Sequence, residues 1–334
     1  MKKVDKSFPK VSIIIPVKNE EETITELLDS IFELDYPKDK MEVIIVDGKS
    51  TDKTVEKASK YPVKILFEEG KSPNNARRIG IQHASGDIYI FTDGDCVVPK
   101  DWIRRIIDDI NEEEIGCVGG SVFVEKSLQD NLLAAYSDHS IMRVMPLVEE
   151  KEEISEVRVF KHLAFCNMAI KKRALERTGG LDPTLKTFED VDVVTSICKI
   201  GYKVLRDPKV YVWHKHRHTI REIIRQTYNY GRGGPKFRRK HPDTPIARFY
   251  TFGLTIFTAY FFILILSSLS GIILSNMRPI FIALIPVMGG ALIESIYYIF
   301  KTRKLTAAIM YTILDILRIF AFALGDIIQT IKGI

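Results

Sequence analysis

The chain has 334 residues, more than one domain ordinarily holds, with a formal net charge of +5. So modest a charge, with the basic residues crowded into one stretch instead of spread over a patch, argues against nucleic acid as partner and for a membrane surface. The mean hydropathy of +0.01 averages two unlike parts: some 240 charge-rich residues, then long apolar stretches from Phe249 onward.

The start, Met1-Lys2-Lys3, meets charge instead of an apolar leader, so the N-terminal part is expected to stay in the cytoplasm. Four cysteines, Cys96, Cys117, Cys166 and Cys198, lack CxxC spacing and fit a reduced compartment. Residues 11–16 and 41–47 are short continuous apolar runs, the pattern of buried parallel strands. Between them, residues 20–34 carry Ile24, Leu27, Leu28 and Ile31 at helical spacing, which completes a βαβ unit. The spacing then predicts a short helix over 51–59, a strand over 63–67, a helix over 74–84 and a strand over 88–91. That strand ends at Asp93-Gly94-Asp95, so the acidic pair falls at a carboxyl end, where open α/β sheets hold ligands. A helix over 102–111 and a strand over 117–124 follow. Residues 129–156 carry a weaker signal, and the charged run 149–153 reads as a mobile surface loop. Periodicity resumes at 164–170, followed by a helix from Lys171, a turn at 179–183 and a helix over 190–200.

A basic segment, about 214–240, ends in Lys236-Phe237-Arg238-Arg239-Lys240. Beyond it, apolar segments at about 249–274, 280–300 and 305–331 each approach the roughly 20 residues that span a bilayer core. The loop Lys301-Thr302-Arg303-Lys304 carries three positive charges against one in 275–279, which places it and the N-terminal domain on the inner side. The third segment contains Asp315, Arg318 and Asp326, costly in lipid. Either it spans with these residues facing protein or water, or it lies as an interfacial helix. Asp315 and Arg318 are spaced to pair on one face, and Arg318 is also a candidate for a lipid phosphate.

Asp93 and Asp95 flank a glycine that lets the chain pass close to a ligand, and their hard oxygens suit Mg²⁺ or Mn²⁺ shared with substrate phosphates. Such a motif alone is better explained by a surface turn. Two further strand ends, Pro16-Val17-Lys18-Asn19-Glu20 and Asp47-Gly48-Lys49-Ser50-Thr51-Asp52, would share the same edge. Taken together, Pro16, Asn19 and Glu20, then Asp47, Ser50 and Asp52, then Asn75-Ala76-Arg77-Arg78-Ile79-Gly80, then Asp93 and Asp95, closely resemble family 2 glycosyltransferases over about the first 235 residues.

That resemblance implies an α/β GT-A fold, Rossmann-like with a mainly parallel sheet, as a cytoplasmic domain over 1–240, followed by a helical membrane domain over 249–331. It implies a UDP- or GDP-sugar donor whose base and ribose meet Pro16, Asn19, Glu20, Asp47, Ser50 and Asp52, with Arg77 and Asp93 also on the nucleotide. Ser50, Thr51 and Asp52 also suit a helix cap. Glu189-Asp190 resembles the family's ED motif and makes Asp190 the base toward an acceptor hydroxyl, with Glu189 on the acceptor; an acidic helix start is the plainer alternative. In Trp213-His214-Lys215-His216-Arg217-His218, His214 is the first candidate beside Asp93 and Asp95 for the metal, and His216 the second. No cysteine is near these histidines in sequence, so a zinc site is disfavoured and phosphate contacts are preferred. Gln226 to Gly233 occupies the place of the QxxRW motif but lacks its Arg-Trp pair, which argues against processive synthesis. Arg225 or Arg232 is then either a diphosphate ligand or part of a basic helix on the membrane. The expected function is inverting, metal-dependent transfer of a sugar to a lipid-linked acceptor. The alternatives are a polyprenyl-phosphate glycosyl synthase and a non-catalytic membrane scaffold.

Overall fold

The computed structural model describes residues 8–143, 145–159 and 161–333, so the Met1-Lys2-Lys3 start lies outside the described residues. The chain forms two compact units, Met1–Asp130 with Val144–His216, and Asn131–Arg143 with Arg217–Ile334.

In the first unit, β1 (Val11–Val17), β2 (Met41–Asp47), β3 (Lys64–Phe67) and β4 (Ile88–Phe91) run parallel in the order β3-β2-β1-β4. The crossovers are α1 (Ile24–Phe32), α2 (Thr54–Ala58) and α3 (Pro73–His83). Period-2 alternation sorts the side chains. Ile13, Ile15, Val43 and Ile45 share a core with Ile24, Leu27, Leu28 and Ile31 of α1, and with Trp102 and Ile106 of α4 (Trp102–Ile110). Ile44 and Val46 turn the other way, onto Ala76 of α3. There α3 lies so close that a Cβ on Gly80 would fall 2.4 Å from Ile14 Cγ2. Each such side chain, fully buried, contributes roughly 1.5–3 kcal/mol.

Past β4 the sheet becomes mixed. β8 (Met168–Lys171) runs antiparallel between β4 and β6 (Ile115–Val124). β9 (Lys203–His214) is parallel to β6, while β5 (Cys96–Val97) and β7 (Glu152–Ile154) each pair antiparallel with β9. The expectation of a mainly parallel sheet therefore holds for β1 to β4 and for the β6–β9 pair but not for the other pairings of this half. α6 (Lys172–Arg177) and α7 (Glu189–Lys199) complete this unit, and α5 (Leu132–His139) belongs to the other.

The run 149–153, expected as a mobile surface loop, instead leads into β7. Lys151 reaches the buried carboxylates of Asp109 at 2.6 Å and Asp207 at 3.5 Å, and Glu152 pairs with the buried Arg206 and with Lys161. These partners all lie outside the run, so the run looked like unpaired charge.

The second unit contains α5, α8 (Ile220–Lys240), α9 (Pro245–Ile273), α10 (Arg278–Thr302) and α11 (Leu305–Ile331). The basic segment read as one piece divides: His214 and His216 end the first unit, and Arg217 onward, with α8, belongs to the second. α9, α10 and α11 are each long and apolar enough to cross a membrane. α8 and α11 meet backbone to backbone. A Cβ on Gly231 would lie 2.1 Å from Phe322 O, and one on Gly325 2.2 Å from Tyr228 O.

The charged residues of α11, Asp315, Arg318 and Asp326, are buried against protein. Asp315 accepts from Tyr136, Tyr298 and Ser140 and pairs with Arg318 at 3.4 Å, one helical turn along. Arg318 is only 5% exposed and donates to Thr227 Oγ1, Tyr136 Oη, Ser140 Oγ and Met142 O. The lipid-phosphate role considered for Arg318 is therefore not supported, since its guanidinium is enclosed by protein acceptors. Asp326 is held by both terminal nitrogens of Arg238, at 2.5 and 2.8 Å.

Candidate active site

The parallel order of β1, β2 and β4 brings their carboxyl ends to one edge. At the first two ends the polar residues mostly bind each other. Asn19 adopts the left-handed region (φ 58°). Its Oδ1 accepts from Thr51 N at 2.9 Å, and its own N donates to Ser50 Oγ at 2.9 Å. Asp52 accepts from Glu21 N with Oδ2 and from Thr54 N and Oγ1 with Oδ1. Such local bonds divert the backbone from helix, and α2 accordingly begins at Thr54, not at Thr51. Glu20 N donates to Thr54 Oγ1 at 2.7 Å, and Pro16 lies within β1 opposite Val46.

Asp47 differs from these stitching residues. It is 2% exposed, and Oδ2 accepts from Ser50 N at 3.0 Å, but Oδ1 is buried without a hydrogen-bond partner. A buried carboxylate oxygen without a donor is costly, and a ligand N–H would satisfy it.

The two aspartates at the end of β4 part company. Asp93 Oδ1 receives Arg77 Nη2 at 2.7 Å, and Arg77 Nη1 reaches Glu189 Oε1 at 3.2 Å. The side chain of Arg77 is 5% exposed, its guanidinium lies 4.5 Å from the Phe165 ring centroid, and its Nε is buried without a partner. Asp95 turns instead to His214, with 3.3 Å between Oδ1 and Nε2. This follows from the pairing of β5 with β9, which sets Cys96 opposite His214. Ligand atoms of Asp95, Cys96 and His214 all lie within 4.8 Å of one another, and His214 Nδ1 is 3.1 Å from His216 Nδ1. Gly94 does permit a close approach, but to protein: a Cβ there would sit 2.9 Å from Glu20 Cγ.

Glu189 and Asp190 open α7 behind Phe188, which is left-handed at φ 65°. Burial, then the Asp190 charge, pushes the Glu189 carboxyl up against the pull of Arg77. Burial likewise raises Asp190, opposed by the His162 charge and by the Val191 N–H, which donates to its Oδ1 at 2.8 Å.

Of the residues singled out in the sequence, Arg77, Asp93 and Glu189 form one cluster, Asp95 and His214 another, and Asn19, Ser50 and Asp52 a third. Arg232 belongs to the helical unit, where its Nε donates to Gln329 at 3.4 Å. Cys96 and Phe165 were missed. Cys96 stands beside Asp95 in sequence, but its closeness to His214 depends on a strand pairing that no local pattern announces.

This fold with its acidic strand ends is that of a GT-A glycosyltransferase. The sequence model "Glycosyl transferase family 2" matches residues 12–179, and the chain belongs to that family. It is 30% identical over 233 residues to glycosyltransferase AglE of Haloferax volcanii, covering 68% of this chain and 73% of that one. It is 28% identical over 232 residues to a Methanococcus voltae protein, covering 66% and 71%. That protein is named dolichyl N-acetyl-alpha-D-glucosaminyl phosphate 3-beta-D-2,3-diacetamido-2,3-dideoxy-beta-D-glucuronosyltransferase. Among solved structures, the Pyrobaculum calidifontis mannosyltransferase PcManGT, in complex with GDP-Man and Mn²⁺, superposes with a TM-score of 0.61 at 23% identity, covering 93% of this chain and 88% of that one.

Proposed function

We propose that this glycosyltransferase carries out an inverting, metal-dependent transfer of a sugar from a UDP- or GDP-sugar to a lipid-linked acceptor at the cytoplasmic face of a membrane. The observation that carries this reading is the Arg77 bridge. It ties the carboxylate at the end of β4 to the acidic start of α7, so that donor-side and acceptor-side groups belong to one cluster.

The residues fit a divalent cation: Asp95 and His214 offer an oxygen and a nitrogen 3.3 Å apart, with Asp93 two residues away in the chain. Mg²⁺ or Mn²⁺ held there would neutralise charge developing on the departing diphosphate. Asp47 Oδ1 accepts an N–H of the base, while Pro16 and Glu20 line the nucleotide. Asn19, Ser50 and Asp52 join the two turns and so keep the pocket in shape. Asp190, with a carboxyl raised by burial, takes the proton of an acceptor hydroxyl, and Glu189 orients the acceptor. Three helices able to span a bilayer favour an acceptor in the membrane, and the Methanococcus voltae relative is named for a dolichyl-phosphate-linked sugar. The loop Lys301-Thr302-Arg303-Lys304 and the catalytic unit then share the cytoplasmic side.

The test is transfer from a panel of UDP- and GDP-sugars to membrane lipid extract with Mg²⁺ or Mn²⁺, comparing wild type with Asp95→Ala and Asp190→Asn. Both variants should lose transfer; Asp190→Asn should lose about 10²- to 10⁴-fold, the usual contribution of a general base, and should still bind nucleotide and metal. An active Asp190→Asn enzyme would mean an acceptor already ionised, as in polyprenyl-phosphate synthases. A wild type that neither binds nor turns over any donor would leave a scaffold.

A further inference from the structure

The strand pairing that brings His214 to Asp95 also brings a thiol. Cys96 and His214 are register partners in the antiparallel β5–β9 ladder, so their side chains leave the same face of the sheet. Carboxylate, thiol and imidazole place their ligand atoms within 4.8 Å of one another. An equilateral triangle of that edge has its centre about 2.8 Å from each corner, roughly 0.5–0.8 Å beyond the 2.0–2.3 Å that zinc takes to such atoms. Small side-chain rotations close that gap. A second thiol, that of Cys166, lies close enough to Cys96 for the two side chains to perturb one another. His216 stands next to His214 at 3.1 Å.

For a hard cation sharing phosphate oxygens, a thiol is an idle neighbour. For a thiophilic ion it is the preferred ligand, and carboxylate–thiolate–imidazole is a set that Zn²⁺, Cd²⁺ and Co²⁺ bind in tetrahedral form with one further ligand. We infer that Asp95, Cys96 and His214 form a binding site for thiophilic divalent ions, with water as the fourth ligand. Such an ion withdraws Asp95 and His214 from the Mg²⁺ or Mn²⁺ of the transfer reaction, a consequence that rests on the assignment of those two residues to the hard cation. Binding releases the thiol proton.

The experiment is titration of the full chain in detergent micelles with Co²⁺, followed by absorbance. Wild type should develop a near-ultraviolet thiolate-to-cobalt charge-transfer band together with intense tetrahedral visible bands, and added Zn²⁺ should abolish both. Cys96→Ser should lose the charge-transfer band and bind Co²⁺ at least about 10-fold more weakly, a loss seen even when an outer partner of a ligand is removed. Cys117→Ser and Cys198→Ser should keep the band. Wild-type protein that binds Co²⁺ with weak octahedral bands alone, or fails to bind it, overturns the site without recourse to any variant's folding. So does a band that survives Cys96→Ser. Transfer supported by Mn²⁺ is measured on the same preparation. Active enzyme without the thiolate band removes this inference and leaves the proposed function standing. The band without any transfer does the reverse.

Discussion

Arg77 holds Asp93 and Glu189, from the end of β4 and the start of α7, and behind Glu189 stands Asp190, the proposed base. The charged groups acting on this acidic pair are Arg77, Asp93 and His162. Burial raises both carboxyls, and a base works deprotonated, so a raised pKa moves the acidic limb of the rate to higher pH. The pH profile of transfer to a hydroxyl acceptor should therefore rise through a value above the usual carboxylate range. Glu189→Gln removes the adjacent negative charge, and its limb should move to lower pH; a limb that stays in place would separate Asp190 from the titrating group. At this scale the sequence was legible in kind. Asp93, Asp95, Asp190 and His214 could be chosen by type and motif, but their partners could not. Asp93 takes Arg77 and Asp95 takes His214, a division that depends on how α3 and β9 pack.

Among the elements, α8 and α11 show how a helical unit holds polar residues. Glycines at 231 and 325 allow backbone contact, and Arg318 fills the interior with donors to Asp315, Tyr136, Ser140 and Thr227. Arg318→Met leaves the Asp315 carboxylate, fully buried, without its counter-charge. Removing one partner of a buried ion pair costs about 3–5 kcal/mol. The variant should unfold at markedly lower temperature in micelles, and adding Asp315→Asn should recover part of the loss. Strict additivity of the two substitutions would show that the pair is not coupled. The helices themselves were legible from apolar length, whereas β7 was not, because the partners of Lys151 and Glu152 lie on α4 and β9.

For the whole molecule, the telling feature is that residues 131–143 leave the first unit and join the helices of the second. Tyr136 is buried in one cluster with Tyr298, Tyr311 and Leu314. A chain ended at residue 216 would strip that segment of its cover and expose Tyr136 with the partly buried Leu132 and Leu133 packed around it. Such a protein should aggregate on size-exclusion chromatography, and replacing 131–143 by a short Gly/Ser linker should restore a monodisperse species. If the simple truncation is already soluble and monodisperse, the segment's apolar side is not committed to the helices.

By itself the sequence determined what is periodic or contiguous: four parallel strands with their crossovers, three long apolar helices, and the acidic turns that mark the family. Hydrophobic period and motif spacing are properties of neighbouring residues, so they survive without a fold. Only the tertiary structure decided that the second half of the sheet is mixed, that Arg318 faces protein, that Asp47 keeps an unpaired oxygen, and that Cys96 stands beside His214. Each depends on which distant segments come together, and that is set by the packing of the whole chain, not by any local pattern.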